Sequence, residues 1–113
     1  MTPRQPVPLL GEVEQLVLLA AFRLGDDAYA VAVRDEIESR AAVALSRATV
    51  YITLDRLERK GYLTSWFGDP TPERGGKAKR CFRLEPIGVK ALRSSIHAID
   101  RLAAGTKLAP ERR

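Results

Sequence analysis

The sequence contains few of the residues that form metal sites, disulfides or base-stacking surfaces. Among its 113 residues there are one cysteine, one histidine and 6% aromatic residues. Cys81 alone cannot form a disulfide within the chain. Together with His97 it is too little for the usual Cys/His zinc cluster, so we expect neither a metal nor a cofactor. The scarcity of aromatic side chains also disfavours an RNA-binding surface on which single-stranded bases stack.

Long apolar runs are missing as well. No run approaches the roughly 20 residues that a membrane helix needs, and residues 1–8 lack the apolar stretch of a signal peptide. We therefore expect a cytoplasmic protein that does not contact a membrane. A content of 45% hydrophobic and 29% charged residues is typical of a folded domain rather than of a disordered chain.

Residue patterns typical of catalysis are also lacking. The carboxylates are scattered over the surfaces of predicted helices and form no recognisable pair. Cys81 and His97 fall on different predicted elements, whereas a nucleophile needs its base within reach. We therefore expect that the protein is not an enzyme.

The charge of the chain is distributed unevenly. Residues 1–45 contain four Lys or Arg and seven Asp or Glu, a balance of −3, whereas residues 46–113 contain fifteen and seven, a balance of +8. A concentration of cations in one part of a chain indicates an anionic polymer as the partner. The alternative is that these side chains only solvate the surface.

The positive half begins with a helix whose two ends are marked in the sequence. Ser46 is a good N-cap, because its hydroxyl can accept a hydrogen bond from a free backbone N–H, and Lys60-Gly61 suits the C-terminal end. The apolar positions that recur on one face, and should be buried, are Val50, Leu54 and Leu57. The opposite face, which could contact DNA, carries Thr49, Ile52, Arg56 and Arg59.

Three more helices and two strands are predicted around this helix. The helices are expected at about 11–24, 31–40 and 86–104, and the strands at 63–67 and 80–84, where they enclose a polar loop. Residues 42–45 form either a small strand or an extended linker. Residues 1–8, with three prolines, are expected to be a flexible arm, and residues 105–113 a flexible tail. In the second strand, Phe82 and Leu84 should face inward, leaving Cys81 and Arg83 on the other face.

Two segments carry more apolar surface than a domain of this size can bury. The stretch 16–22 is apolar on all sides, and the last helix has a seam with alternating steps of three and four residues, typical of a short coiled coil. We therefore predict a homodimer interface formed by Leu16, Leu19, Val89, Leu92, Ile96 and Ile99.

The order of these elements predicts a mainly α protein with a small β-hairpin. It is the order of a winged helix-turn-helix DNA-binding domain, here residues 9–85, followed by a C-terminal dimerisation helix, residues 86–104. In such domains the first turn of the capped helix inserts deepest into the DNA groove, which predicts contacts from Arg47 and Thr49. The wing of such a domain is the hairpin, here the two predicted strands and the polar loop between them. Its cations can follow the phosphates, which predicts contacts from Arg74, Lys77, Lys79 and Arg80.

Several local motifs resemble those of PadR-type transcriptional regulators, over residues 9–103. The matching motifs are Leu10-Gly-Glu, Val17-Leu-Leu, Asp27-Ala-Tyr29, Val50-Tyr51-Ile-Thr-Leu54, Arg56-Leu57-Glu58, Gly61-Tyr-Leu and Gly75-Gly76-Lys-Ala-Lys-Arg-Cys-Phe-Arg-Leu84. The likeness is to the compact members, which have a single terminal helix. The chain departs from the usual residues of the family at Ala30, Cys81 and Glu85.

The resemblance implies a homodimer from a bacterium or archaeon, usually a repressor, that binds a pseudo-palindromic operator in double-stranded DNA. It places the capped helix in the major groove and the wing along the backbone, and it adds Tyr51 as a backbone contact. Together with the positional predictions, the expected DNA-binding residues are Tyr29, Ser46, Arg47, Thr49, Tyr51, Thr53, Arg56, Arg74, Lys77, Lys79 and Arg80.

Several of these interpretations have an alternative. The rings of Tyr29 and Tyr51 could pack on the core, Thr53 could turn inward, and Arg56 could pair with a carboxylate. Trp66 could line a pocket for a small-molecule effector or simply pack on its strand. A winged helix can also be a protein-interaction module without DNA binding, and a charge-reversed wing would distinguish the two functions.

Overall fold

A computed structural model describes residues 9–68 and 78–109. Its elements are α1 (Glu12–Leu24), a 3₁₀ turn (Gly25–Asp27), α2 (Ala30–Ala41), α3 (Arg47–Arg59), β1 (Leu63–Phe67), β2 (Arg80–Leu84) and α4 (Pro86–Ala103). These elements confirm the predicted class, mainly α with a small β-hairpin. The predicted arm of residues 1–8, the tip of the wing and residues 110–113 of the predicted tail lie outside the described residues.

The core lies where α1, α2 and α3 meet the inner face of the hairpin. Its most deeply buried members include Leu18 of α1, Val33 of α2, Leu54 of α3 and Phe82 of β2. Removing such side chains from water is the main favourable term in folding a domain of this size. The face of α3 predicted to be inward, with Val50, Leu54 and Leu57, is therefore confirmed.

The segment between α2 and α3 is a linker, and the alternative that it forms a strand is wrong. α2 ends at Ala42, which has a left-handed backbone with φ of 56° and donates its N–H to the carbonyl of Glu38 at 3.1 Å. This turn redirects the chain at once. Val43 and Leu45 then lie half-buried against the core without a partner strand among the described residues.

The hairpin pairs β1 with β2 in antiparallel register, with Leu63 opposite Leu84 and Phe67 opposite Arg80. Phe82 is buried as predicted, but Cys81, expected on the outer face, is buried too. The start of α2 covers it, because Tyr29 forms an isolated bridge with Cys81 and the N–H of Phe82 donates to the carbonyl of Ala28 at 2.8 Å. The bridge thereby attaches the first turn of α2 to the edge of the wing.

The joint between α3 and β1 is a Schellman-type ending. The N–H of Gly61 donates to Glu58 O at 2.9 Å, and the N–H of Tyr62 donates to Leu57 O at 3.0 Å. Gly61 has φ of +80°, a backbone that glycine adopts without strain. The chain therefore turns from the helix into the strand within Lys60–Tyr62.

The first half of α4 packs on the domain through two close contacts. Near its start, Glu85 N donates to Tyr62 O at 2.9 Å, and Gly88 is buried against the backbone of Tyr62. Two turns further on, the buried hydroxyl of Ser95 accepts the N–H of Leu10 at 3.0 Å. These contacts fix the helix to the body of the domain at both β1 and the start of α1.

Candidate nucleic-acid interface

The solvent-facing side of α3 carries the residues predicted to read DNA. Arg47 lies exposed in the first turn, and the Tyr51 side chain, one turn further on, is 45% exposed. Ile52 is exposed beside Tyr51. Because Val50, Leu54 and Leu57 hold the opposite face in the core, this side of the helix cannot turn inward.

The N-cap of α3 forms as the sequence predicts. The Oγ of Ser46 accepts the N–H of Thr49 at 3.0 Å, and its hydroxyl donates to Thr49 Oγ1 at 2.8 Å. Ser46 is exposed and Thr49 is half-buried. Both hydroxyls therefore define the start of the helix, next to Arg47.

One of the predicted contacts on α3 is not on this surface. Thr53 is only 4% exposed, and its hydroxyl donates to the carbonyl of Thr49 at 2.7 Å, so the inward alternative holds and the predicted DNA contact is wrong. Arg56 is exposed, and its DNA contact stays a prediction. The exposed face of α3 therefore includes Arg56 but not Thr53.

The C-terminal end of α3 is tied to α1 through Glu14. The Nζ of Lys60 lies 2.6 Å from Glu14 Oε2, while the N–H of Gly11 donates to Oε1 at 3.0 Å. Burial alone would raise the pKa of Glu14, but the hydrogen bonds and the charges of Lys60 and Arg56 outweigh it, so its pKa is lowered. The helix predicted to read DNA is therefore fixed to α1 by a charged contact.

The described part of the wing places one of its cations beside an aromatic ring. The Nζ of Lys79 lies 4.5 Å from the centroid of the Tyr29 ring, within cation–π range. Tyr29 is half-buried at the N-cap of α2. Arg74 and Lys77, predicted phosphate contacts, lie outside the described residues.

Arg80, the remaining predicted wing contact, points to α3. Its guanidinium pairs with Asp55 at 3.1 Å and with Glu58. Two carboxylates of α3 therefore lie beside this wing cation. The sequence could not indicate Asp55 and Glu58 as partners, because they lie on α3 and are more than 20 residues from Arg80.

A groove lies between α2, α3 and the hairpin. Tyr29, Tyr51, Phe67 and Lys79 are among the residues that line it. Phe67 is 71% exposed and was not among the predicted contacts. Strand alternation places it on the same face as buried Leu63, so the period-two pattern indicates burial and would not have found it.

A second surface, between α1 and α4, carries the residues predicted to form a dimer interface. Leu19, Ile96 and Ile99 are exposed, and Ile99 has 62% of its surface accessible. Leu16 and Val89 are half-buried. Leu92 is only 5% exposed and packs mainly in the chain's own core, although it also lines the groove between α1 and α4, so its place in an interface stays a prediction.

Phe22, which was not predicted, is exposed and lines the same groove as Leu19 and Ile96, and Leu102 is exposed near the end of α4. Trp66 does not line the groove between the two helices. It lies half-buried on β1, where the guanidinium of Arg83 stacks 4.8 Å from its ring centroid. Its position favours the strand-packing alternative.

In residues 9–68 and 78–109 there is no group of three or more His, Cys, Asp or Glu side chains that could hold a metal ion. None of the helices in these ranges has the length and apolar character needed to cross a lipid bilayer.

Comparison with solved structures finds the same fold in several bacterial regulators. A transcriptional regulator from Clostridium thermocellum matches with a TM-score of 0.67 and 22% identity, covering 80% of this chain and 85% of that chain. A PadR-like transcription factor from Bacteroides fragilis matches with a TM-score of 0.67 and 20% identity, covering 80% and 82%. A PadR family transcriptional regulator from Eggerthella lenta matches with a TM-score of 0.64 and 25% identity, covering 83% and 81%.

None of the curated proteins matches the sequence at a significant level. The sequence profile of the family described as "Transcriptional regulator PadR-like family" does match, over residues 18–94. This span runs from α1 to the middle of α4 and includes all of α3 and the hairpin. Because this match covers more than half of the chain's length, the chain belongs to the PadR-like family of transcriptional regulators.

Proposed function

We propose that the protein is a sequence-specific regulator that binds a pseudo-palindromic operator in double-stranded DNA as a homodimer and represses transcription. The observation that carries this proposal is the exposed face of α3, with Arg47 in its first turn and Lys79 of the wing beside the adjoining groove. Membership of a family of transcriptional regulators supports it.

The exposed residues divide into two roles. We assign Arg47 to a base edge, because a guanidinium can donate two hydrogen bonds to guanine O6 and N7 in the major groove. We assign Lys79 to a phosphate, and the hydroxyls of Tyr29 and Tyr51, on the same groove, to the DNA backbone. Arg74 and Lys77 remain proposed phosphate contacts.

A homodimer is proposed on the apolar surface of α1 and α4. Leu19, Phe22, Ile96, Ile99 and Leu102 are exposed there. Several large apolar side chains on neighbouring helices mark an interaction site more often than a free surface. A two-fold dimer would present two copies of α3 to DNA, and these need to lie roughly 34 to 36 Å apart, or a multiple of that, to engage two half-sites.

The experiment that tests DNA recognition begins with sequencing the genomic fragments that the purified protein retains. An enriched inverted repeat is the expected result. Binding to that duplex and to a random duplex is then measured over a range of salt for the parent, Arg47→Ala and Lys79→Ala. Arg40→Ala, which removes an exposed cation paired with Glu36 at the far end of α2 from Tyr29, serves as the control.

The two roles predict different losses. Arg47→Ala should lose about 1 to 3 kcal/mol of preference for the enriched sequence if it donates two bonds to a base. Lys79→Ala should weaken both duplexes alike and reduce the salt slope by about one unit. If no duplex is retained at all, or if neither variant differs from Arg40→Ala, the DNA-binding proposal is wrong.

The dimer is tested separately by sedimentation. Ile99→Glu should shift the protein to a monomer, because it places a charge in the proposed apolar interface. Lys90→Glu, at an exposed position on the same helix, should leave the assembly unchanged. A parent chain that sediments as a monomer at micromolar concentration would refute the proposal.

The second candidate function is a protein-interaction module without DNA binding. Lys79→Glu distinguishes the two functions, since it should abolish retention on DNA if the wing contacts phosphates. If the protein binds a protein partner instead, retention on DNA should be negligible for parent and variant alike.

A further inference from the structure

Arg80 lies at the base of the wing and directs its guanidinium towards α3. Its Nη1 donates to Asp55 Oδ1 at 3.1 Å, and its Nη2 donates to Glu58 Oε1. Its Nε points to Ser65 Oγ at 3.4 Å. The donor groups of this arginine are thus directed at two elements of its own domain, α3 and β1.

The partners of Arg80 are themselves connected. The hydroxyl of Ser65 donates to Glu58 Oε2 at 2.5 Å, so both oxygens of this carboxylate are occupied, one by β1 and one by β2. The guanidinium also lies 4.9 Å from the centroid of the Phe82 ring. Arg80 therefore joins both strands of the wing to α3 at one point.

The geometry requires arginine rather than any cation. A guanidinium is a flat fork of donors that can serve two carboxylates at once while stacking on a ring, whereas a lysine ammonium is a compact point charge on a flexible stem. A lysine at this position would keep the charge and lose the fork. This difference allows the role of the shape to be separated from the role of the charge.

The charges of the cluster argue against a phosphate contact. The guanidinium of Arg80 and the carboxylates of Asp55 and Glu58 sum to −1, so the charge of Arg80 is already compensated within its own domain. A phosphate that approached Arg80 would have to displace Asp55 or Glu58, both already in contact with it. The sequence pattern groups Arg80 with the wing cations, but its surroundings do not.

We propose that Arg80 is a positioning residue that fixes the base of the wing against the recognition helix α3, through Asp55, Glu58 and Ser65, without neutralising a phosphate itself. The effect on DNA recognition rests on the function proposed above. Arg80 then sets the angle between two DNA-contacting parts, and losing it should misplace Lys79 relative to Arg47.

The DNA test compares Arg80→Lys, which keeps the charge, with Arg80→Gln, which removes it. If Arg80 positions the wing, both variants should lose affinity for the enriched duplex to a similar extent, by about tenfold, which corresponds to roughly 1.4 kcal/mol. If Arg80 contacts a phosphate, Arg80→Lys should bind like the parent and Arg80→Gln should lose about one unit of salt slope. The second result overturns the proposal.

Removing a carboxylate gives a further distinction. Glu58→Gln retains the shape of the side chain but weakens its pairing with Arg80. Positioning predicts weaker binding to the enriched duplex for Glu58→Gln, and no additional loss when it is combined with Arg80→Gln. A phosphate contact predicts tighter binding, because an arginine would be released and a repelling charge removed.

The positioning can be measured without DNA, so that its failure is distinguishable from failure of the proposed function. The N–H of Gly68 donates to Lys79 O at 2.7 Å, next to the Phe67–Arg80 pair. Its hydrogen exchange should be faster in Arg80→Lys and in Arg80→Gln than in the parent, and unchanged in Lys77→Ala, with helical content equal by circular dichroism. Unchanged exchange in both Arg80 variants refutes the positioning role even if DNA binding is confirmed.

Discussion

A methyl group added at Gly88 should disturb the packing of α4 against the backbone of Tyr62. A Cβ built on Gly88 would lie 3.1 Å from the carbonyl carbon of Tyr62 and 3.2 Å from its Cα, and closer still to its carbonyl oxygen. These are backbone atoms, which cannot rotate away as the end of a flexible side chain can. Gly88→Ala must therefore displace α4, or the joint at Tyr62, or both.

The backbone of Tyr62 cannot move easily, because hydrogen bonds hold it on both sides. The N–H of Tyr62 is bound to Leu57 O and its carbonyl to Glu85 N, at 3.0 and 2.9 Å. Overpacking of this kind costs roughly 1 to 3 kcal/mol. Replacing glycine by alanine inside a helix contributes about 1 kcal/mol in the opposite direction. Because the clash is with backbone on a fixed joint, we expect the overpacking cost to lie near the upper end of its range, at about 3 kcal/mol, which leaves a net loss of about 2 kcal/mol.

The free energy of unfolding should be measured by urea titration at one fixed protein concentration, because the stability of a dimer depends on concentration. Lys90→Ala, two residues further along α4 and exposed, is the control and should change stability by no more than about 0.5 kcal/mol. A Gly88→Ala protein as stable as the parent, or more stable, would show that the helix does not approach Tyr62 so closely.

Three further predictions concern contacts that hold α3 in place. The lowered pKa of Glu14 means that its stabilising effect is full above its ordinary value of 4.5 and is lost as the pH falls through the lower folded value, so Glu14→Gln should flatten the stability curve measured in this acidic range. Ser46→Ala should cost about 1 kcal/mol in urea titration through loss of the N-cap, while Ser46→Asp should retain most of the stability. Leu54→Ala, in the fully buried core, should cost about 2 to 5 kcal/mol in the same assay, and a loss below 1 kcal/mol would mean that the core around it collapses to fill the space.

The parts of the fold that follow from short-range patterns could be predicted from the sequence. The cap at Ser46, the apolar positions of α3 and the ending at Gly61 depend on residues within a few positions of one another. The strand bounds followed from turn residues and alternation in the same way. Such local signals fix where an element begins, ends and faces the core.

The parts that could not be predicted depend on which elements meet. Thr53 lies near the border of the buried face, and only the packed structure shows that its hydroxyl bonds the carbonyl of Thr49. Cys81 is buried because the start of α2 crosses the edge of β2, a contact between distant segments. Arg80 carries the same charge as the wing cations, and nothing local to it indicates Asp55 and Glu58 as partners.

The short joint between α3 and β1 has a consequence for attempts to engineer this protein. With only Lys60–Tyr62 between the last turn of the helix and Leu63, one inserted residue would exchange the two faces of β1. Leu63 would then leave the core and Thr64 would enter it. Changes of DNA specificity should therefore be made by substitution on α3 and not by insertion at this joint.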